Sequence, residues 1–124
     1  MAKKKELTYE TKMINALNSF PSPLIDKKHG IVIMLENDRV RSNENRFEHI
    51  INPRHDLKPS DIKRIPKRID QAIFKKDKER KDTYNLYIER NNYRKQFIKV
   101  SMRIEFDKSN KATIKTIFIT DDIK

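Results

Sequence analysis

At 124 residues, 38% charged and 35% hydrophobic, with a formal net charge of +11, the chain has the size of one domain and room for one modest core. With no cysteine and a single glycine, it can carry no disulfide framework, thiolate metal site, P-loop or dinucleotide fingerprint. The positive charge points to a polyanion, nucleic acid before an anionic membrane surface, although a chain rich in Lys, Ile and Asn also reflects AT-rich coding.

Residues 1–124 read as a single domain, with a basic tail over 1–8 and a short tail over 121–124. The opening "MAKKKELTYETK" leads into no apolar stretch of signal-peptide length, and nothing approaches the roughly 20 apolar residues of a bilayer span. A cytoplasmic protein without a membrane partner is expected.

In chain order, Met13, Ile14, Leu17 and Phe20 recur at helical spacing, and Pro21 and Pro23 follow, so a helix is expected from about Tyr9 to Ser19. "GIVIML" from Gly30 to Leu35 is β-branched and runs into the turn-like "ENDR", the pattern of a strand. Val40, between Arg39 and Arg41, suits a brief returning strand. In "LKPSDIKRIPKRIDQAIF", Ser60 is the expected N-cap and Ile62, Ile65 and Ile69 share a helical face. Pro66 should split that run into two short helical pieces. Lys75 to Asp82 is charged throughout and reads as an exposed loop.

The C-terminal third has a period of two. Leu86 and Ile88 alternate with polar residues, then Ile98, Val100, Met102, Ile104 and Phe106 face one way while Lys99, Ser101, Arg103 and Glu105 face the other. "NNYR" and "DKSN" are the expected turns, and "KATIKTIFIT" is a third strand. Helices first and an antiparallel meander after make an α+β fold, with helices on one face of the sheet. The other face would carry Lys99 and Arg103 from one strand and Tyr87 and Glu89 from the preceding one, a basic, tyrosine-bearing surface suited to RNA. In the last strand, Thr116 should lie on the side of Ile114 and Phe118, as a lone polar group in an apolar pocket.

The stretch "RFEHIINPRHDL", residues 46–57, concentrates two of the three histidines with two arginines. Imidazole exchanges protons near neutral pH, so two histidines can serve one turnover as base and acid. RNA carries its own nucleophile in the 2′-hydroxyl. Cleavage therefore needs only an acid/base pair, cations for the crowded phosphorane and a donor to the phosphate. His49, His55, Arg46, Arg54, Lys99, Arg103 and Thr116 are of the required types. No metal or cofactor is called for, since the spacing of His49 and His55 matches no metal motif. His29, beside Gly30 and two lysines, reads as structural.

"RFEHIINPRHDL", a proline-containing helical stretch, a charged loop and strands ending in "IKTIFIT" together resemble the phage-associated branch of the barnase–EndoU–colicin–RelE (BECR) ribonuclease superfamily, over roughly Gly30 to Thr120. The resemblance implies one or two N-terminal helices on a small antiparallel sheet of about four strands. It also implies metal-independent cleavage of RNA, often tRNA or mRNA, and a role as a toxin or phage-encoded effector. Arg46 with His49 would match the family's Arg–x–x–His segment, Arg54 with His55 its Arg–His pair, and Thr116 with Phe118 its last-strand motif. On that basis His49 and His55 supply the acid/base groups, Arg54 and Thr116 serve the scissile phosphate, and Arg46 holds phosphate. Lys99, Arg103 and Tyr87 extend the substrate surface from strand alternation alone. Pro53 departs from the pattern by fixing the backbone just before Arg54. A non-catalytic RNA- or DNA-binding module, or an effector binding an acidic host or immunity protein, is compatible with the same charge.

Overall fold

The computed structural model describes residues 8–90, 95–105 and 110–123. Helix α1 spans Tyr9–Asn18, opened by the Thr8 hydroxyl, which accepts from the Thr11 amide at 3.1 Å. It buries Met13, Ala16 and Leu17 and stops ahead of Pro21. Strands β1, Leu24–Asp26, and β2, Ile31–Met34, form a hairpin whose turn places Gly30 at φ 68°, a left-handed backbone that a side chain would strain. Val40 does sit in a short strand, β3, Arg39–Arg41. It pairs with β4, Glu44–Asn45, as a separate two-stranded ribbon.

Helix α2, Arg46–Ile50, and a 3₁₀ turn, Pro53–His55, carry the histidine stretch. Helix α3, Pro59–Lys67, starts one residue before the expected cap. Lys58 is the N-cap, Pro59 takes the first helical position, and the Asp61 carboxylate accepts from the Lys58 amide at 2.8 Å. Pro66 does not split the helix: so near the C-terminus it removes one backbone bond, and the chain breaks only at Arg68, before a second 3₁₀ turn, Ile69–Gln71.

The supposed loop from Lys75 begins later. Strand β5, Ile73–Lys76, pairs with β6, Thr83–Glu89, because Phe74 has the core to pack against while Lys75 and Lys76 suit an exposed edge strand. Strands β7, Phe97–Glu105, and β8, Lys111–Thr120, follow. Residues 91–94 and 106–109, which include most of both expected turns and Phe106, lie outside the described residues.

The architecture is α+β. The sheet is larger than expected and mixed: six strands in the order β1-β2-β8-β7-β6-β5, with β2 parallel to β8 and every other pair antiparallel. The sheet curls until its two ends meet. His29, in the β1–β2 turn, stacks on Phe74 of β5 at 5.0 Å between centroids, and Lys28 donates to the Asp70 carbonyl. His29 is structural in the way expected, held by the buried Asp26 at 2.7 Å. Met13 and Leu17 of α1, Phe47 and Ile50 of α2, and Ile62 and Ile65 of α3 join Leu86, Ile98, Val100, Met102, Ile114 and Ile117 in one core.

The face assignment in β8 changes at a bulge. Ser101 pairs with Thr116, yet Met102 pairs with Ile114, so Lys115 is an extra residue. The bulge lets Ile114 and Ile117 both turn into the core, where each is fully buried. Thr116 and Phe118 are thereby moved to the face opposite Ile114, instead of sharing its side.

Candidate functional site

On the sheet face opposite the core, register sets out parallel rows. Tyr87, Lys99 and Phe118 are direct cross-strand partners across β6, β7 and β8, and Asn85, Ser101 and Thr116 form the next row. The Lys99 ammonium lies over both neighbouring rings, 5.7 Å from Tyr87 and 5.2 Å from Phe118. Two cation–π contacts fix its charge in place.

Beyond the end of β2, the free edge of β8 is taken by α2 and the 3₁₀ turn. The His55 ring lies 6.0 Å from Phe118 and meets His49 edge to face at 5.5 Å. Five side chains therefore form a continuous series of contacts: Tyr87, Lys99, Phe118, His55, His49. His55 Nδ1 lies 2.9 Å from the Ile50 carbonyl, to which it donates in the tautomer that leaves Nε2 deprotonated. Burial pushes the His55 pKa below the usual histidine value; the Ile50 carbonyl opposes the shift, His49 and Arg54 add to it, and the Ile117 carbonyl opposes it. His49 Nδ1 lies 3.3 Å from the Glu44 carboxylate, which also faces Arg41 at 3.4 Å.

The remaining expected residues sort differently. Arg46 is buried, 7% exposed, and holds the fold: its guanidinium grips Asp38 at 2.9 and 3.1 Å and donates to the Lys115 carbonyl at the bulge at 2.8 Å. Each of the three guanidinium nitrogens of Arg46 is thus engaged within the fold. Arg54 is exposed and its Nε leans on Asn52 at 3.4 Å, so it stays near the histidines and open to solvent. Tyr87 is 1% exposed, so it supports Lys99 and offers no open ring to a base. Arg103 is exposed on the same face, but four residues along β7 from Lys99, a distance of roughly 13 Å. Thr116 Oγ1 is buried without a hydrogen-bond partner among the described residues.

Two cavities border the histidine loop on its other side. One of about 450 Å³ is lined by Glu10, Glu44 and Glu48 with Tyr9 and Pro53. The other, about 430 Å³, lies between Tyr9, Lys12, Asp56 and Lys58. Three carboxylates repel phosphate from the first. The Phe118 side of the histidines carries the Lys99 ammonium instead. Among the described residues no group of three or more His, Asp or Glu is placed to hold a metal ion, and no helix is long and apolar enough to cross a membrane.

Asn85 carried no signal in the sequence, where it is one polar position in a strand. In the structure it is 2% exposed. Its amide donates to Asp77 at 3.1 Å, and its Oδ1 is buried with no partner among the described residues. Comparison with protein-family models, curated proteins and solved structures finds no match for this chain.

Proposed function

We propose that this protein is a metal-independent endoribonuclease, and the observation that carries the reading is the His49–His55 contact, linked to the Lys99 ammonium through the Phe118 ring. His55, held neutral by burial, takes the proton of a ribose 2′-hydroxyl on Nε2. The 2′-oxygen attacks phosphorus, the bond to the 5′-oxygen breaks, and His49 gives that oxygen its proton. The products are a 2′,3′-cyclic phosphate and a free 5′-hydroxyl. Lys99 and Arg54 offset the charge of the phosphorane, and the Thr116 hydroxyl donates to a phosphate oxygen.

The resemblance of the histidine stretch to the BECR superfamily supports the same reading, within an α+β fold whose six-stranded mixed sheet is larger than that resemblance implies. From that resemblance comes the further proposal of a phage or mobile-element effector acting on tRNA or mRNA in a cytoplasm, with an acidic immunity protein as the partner that would mask its charge.

One observation favours a second reading. The His55 ring faces two main-chain carbonyls, those of Ile50 and Ile117, which suits a structural tie as well as a base. A protein that binds RNA through Lys99 and Arg103 without cutting it is the alternative. The deciding experiment is incubation with total tRNA and mRNA in EDTA, beside His49→Ala and His55→Ala. Fragments ending in 2′,3′-cyclic phosphate, reduced at least about 100-fold in either variant, are expected. Intact RNA that is retarded on a gel selects the binding module.

A further inference from the structure

The middle row of the outer sheet face, Asn85, Ser101 and Thr116, has hydrogen-bonding capacity that the fold does not use. The Asn85 amide cannot be turned. Its NH₂ donates to Asp77, whose carboxylate is held at a pKa of about 2 by the backbone amides of Arg80 and Glu79 and by Asn85 itself, and so stays an acceptor. Oδ1 therefore does not serve Asp77, and it and Thr116 Oγ1 are both buried with no hydrogen-bond partner among the described residues. Native proteins rarely leave such atoms unsatisfied.

We propose that this row is a ribose-reading subsite: Asn85 Oδ1 accepts from a 2′-hydroxyl of RNA while Thr116 and Lys99 hold the adjoining phosphate. The inference rests on RNA being the ligand of the histidine site. An orphan acceptor calls for a ligand with a donor, a hydroxyl and a cation call for an anion, and a ribonucleotide carries both within one unit. The placement agrees, because Thr116 is adjacent on the same face to Phe118, which touches His55. Lys75 stands opposite Asn85, and Lys99 and Arg103 flank Ser101 along β7, so three cations border the row, with the Asp77 carboxylate beside Asn85. Lys75, exposed on the edge strand opposite Asn85, is the flexible side chain that swings aside to admit the ribose.

The test measures binding of a short fluorescein-labelled oligouridylate, its 2′-deoxy counterpart and its 2′-fluoro counterpart, in a His49→Ala background that prevents turnover. RNA is expected to bind about tenfold more tightly than either analogue, the size of one hydrogen bond to a buried acceptor. Asn85→Leu should bring that ratio close to one while leaving affinity for the deoxy strand intact. A 2′-fluoro strand, which lacks the donor, binding as tightly as RNA overturns the subsite, and needs no folded Asn85 variant. An Asn85→Leu protein that keeps the ratio overturns it too. The two readings fail separately: cutting of RNA by the unsubstituted protein with no ribose preference removes the subsite alone, whereas a ribose preference without cutting removes catalysis alone.

Discussion

At the scale of single residues, environment divides the two histidines and the two arginines of one short stretch. His55 is half-buried and pushed towards the neutral form, while His49 is held by a carboxylate near the surface. The sign of the resulting pH effect follows. A histidine whose folded pKa lies below its unfolded value stabilises the fold fully above about pH 6.5, and that contribution falls as pH drops through the folded pKa. Urea midpoints measured from pH 7.5 to 5 should therefore decline for the native protein more than for His55→Gln. The acid limb of cleavage should likewise lie below pH 6.5, and a limb at or above 7 would assign the base to another group. The contrast between Arg46 and Arg54 was not legible in the sequence. Which guanidinium is buried depends on Asp38 and on the Lys115 carbonyl, neither of which is marked by a motif.

Elements are joined by buried charged contacts that no periodicity reveals. Arg46 ties α2 to the bulge of β8, and Arg90, just past β6, grips Asp61 of α3 at 3.0 Å through both Nε and an NH₂ while donating to Gln96. Arg46→Ala should cost about 2–3 kcal/mol in denaturant unfolding. That is below the about 3–5 kcal/mol of breaking a fully buried pair, because Asp38 is 39% exposed and water can solvate the carboxylate left behind. A loss under about 0.5 kcal/mol would mean that Arg46 is not a structural tie. The helix α1 and strands β6, β7 and β8 were readable because their apolar residues recur at the period of the element. Strand β5 was not, since an edge strand with exposed lysines has the composition of a loop. The β8 bulge was not readable either: a strict alternation puts Thr116 with Ile114, and only the pairing register shows the extra residue.

Over the whole molecule, a formal charge of +11 should make nucleic-acid binding steeply dependent on salt. Replacing Lys99 and Arg103 together by alanine should weaken RNA binding across sequences and lower the salt slope by roughly two, about one for each phosphate that is no longer neutralised. A slope unchanged by the double substitution would place the RNA elsewhere on the surface. The sequence by itself determined the charge, the α+β class, the amphipathic periods of α1 and the last three strands, and the presence of an acid/base-capable stretch, because these depend on composition and on neighbours a few residues apart. The tertiary structure decided what lies far apart in sequence. It set the parallel joining of β2 to β8, the curl that closes His29 on Phe74, the burial of Arg46 and Tyr87, and the meeting of His55 with Phe118. Those outcomes depend on which buried groups find partners when segments far apart in the chain are brought together, and local pattern holds no record of that competition.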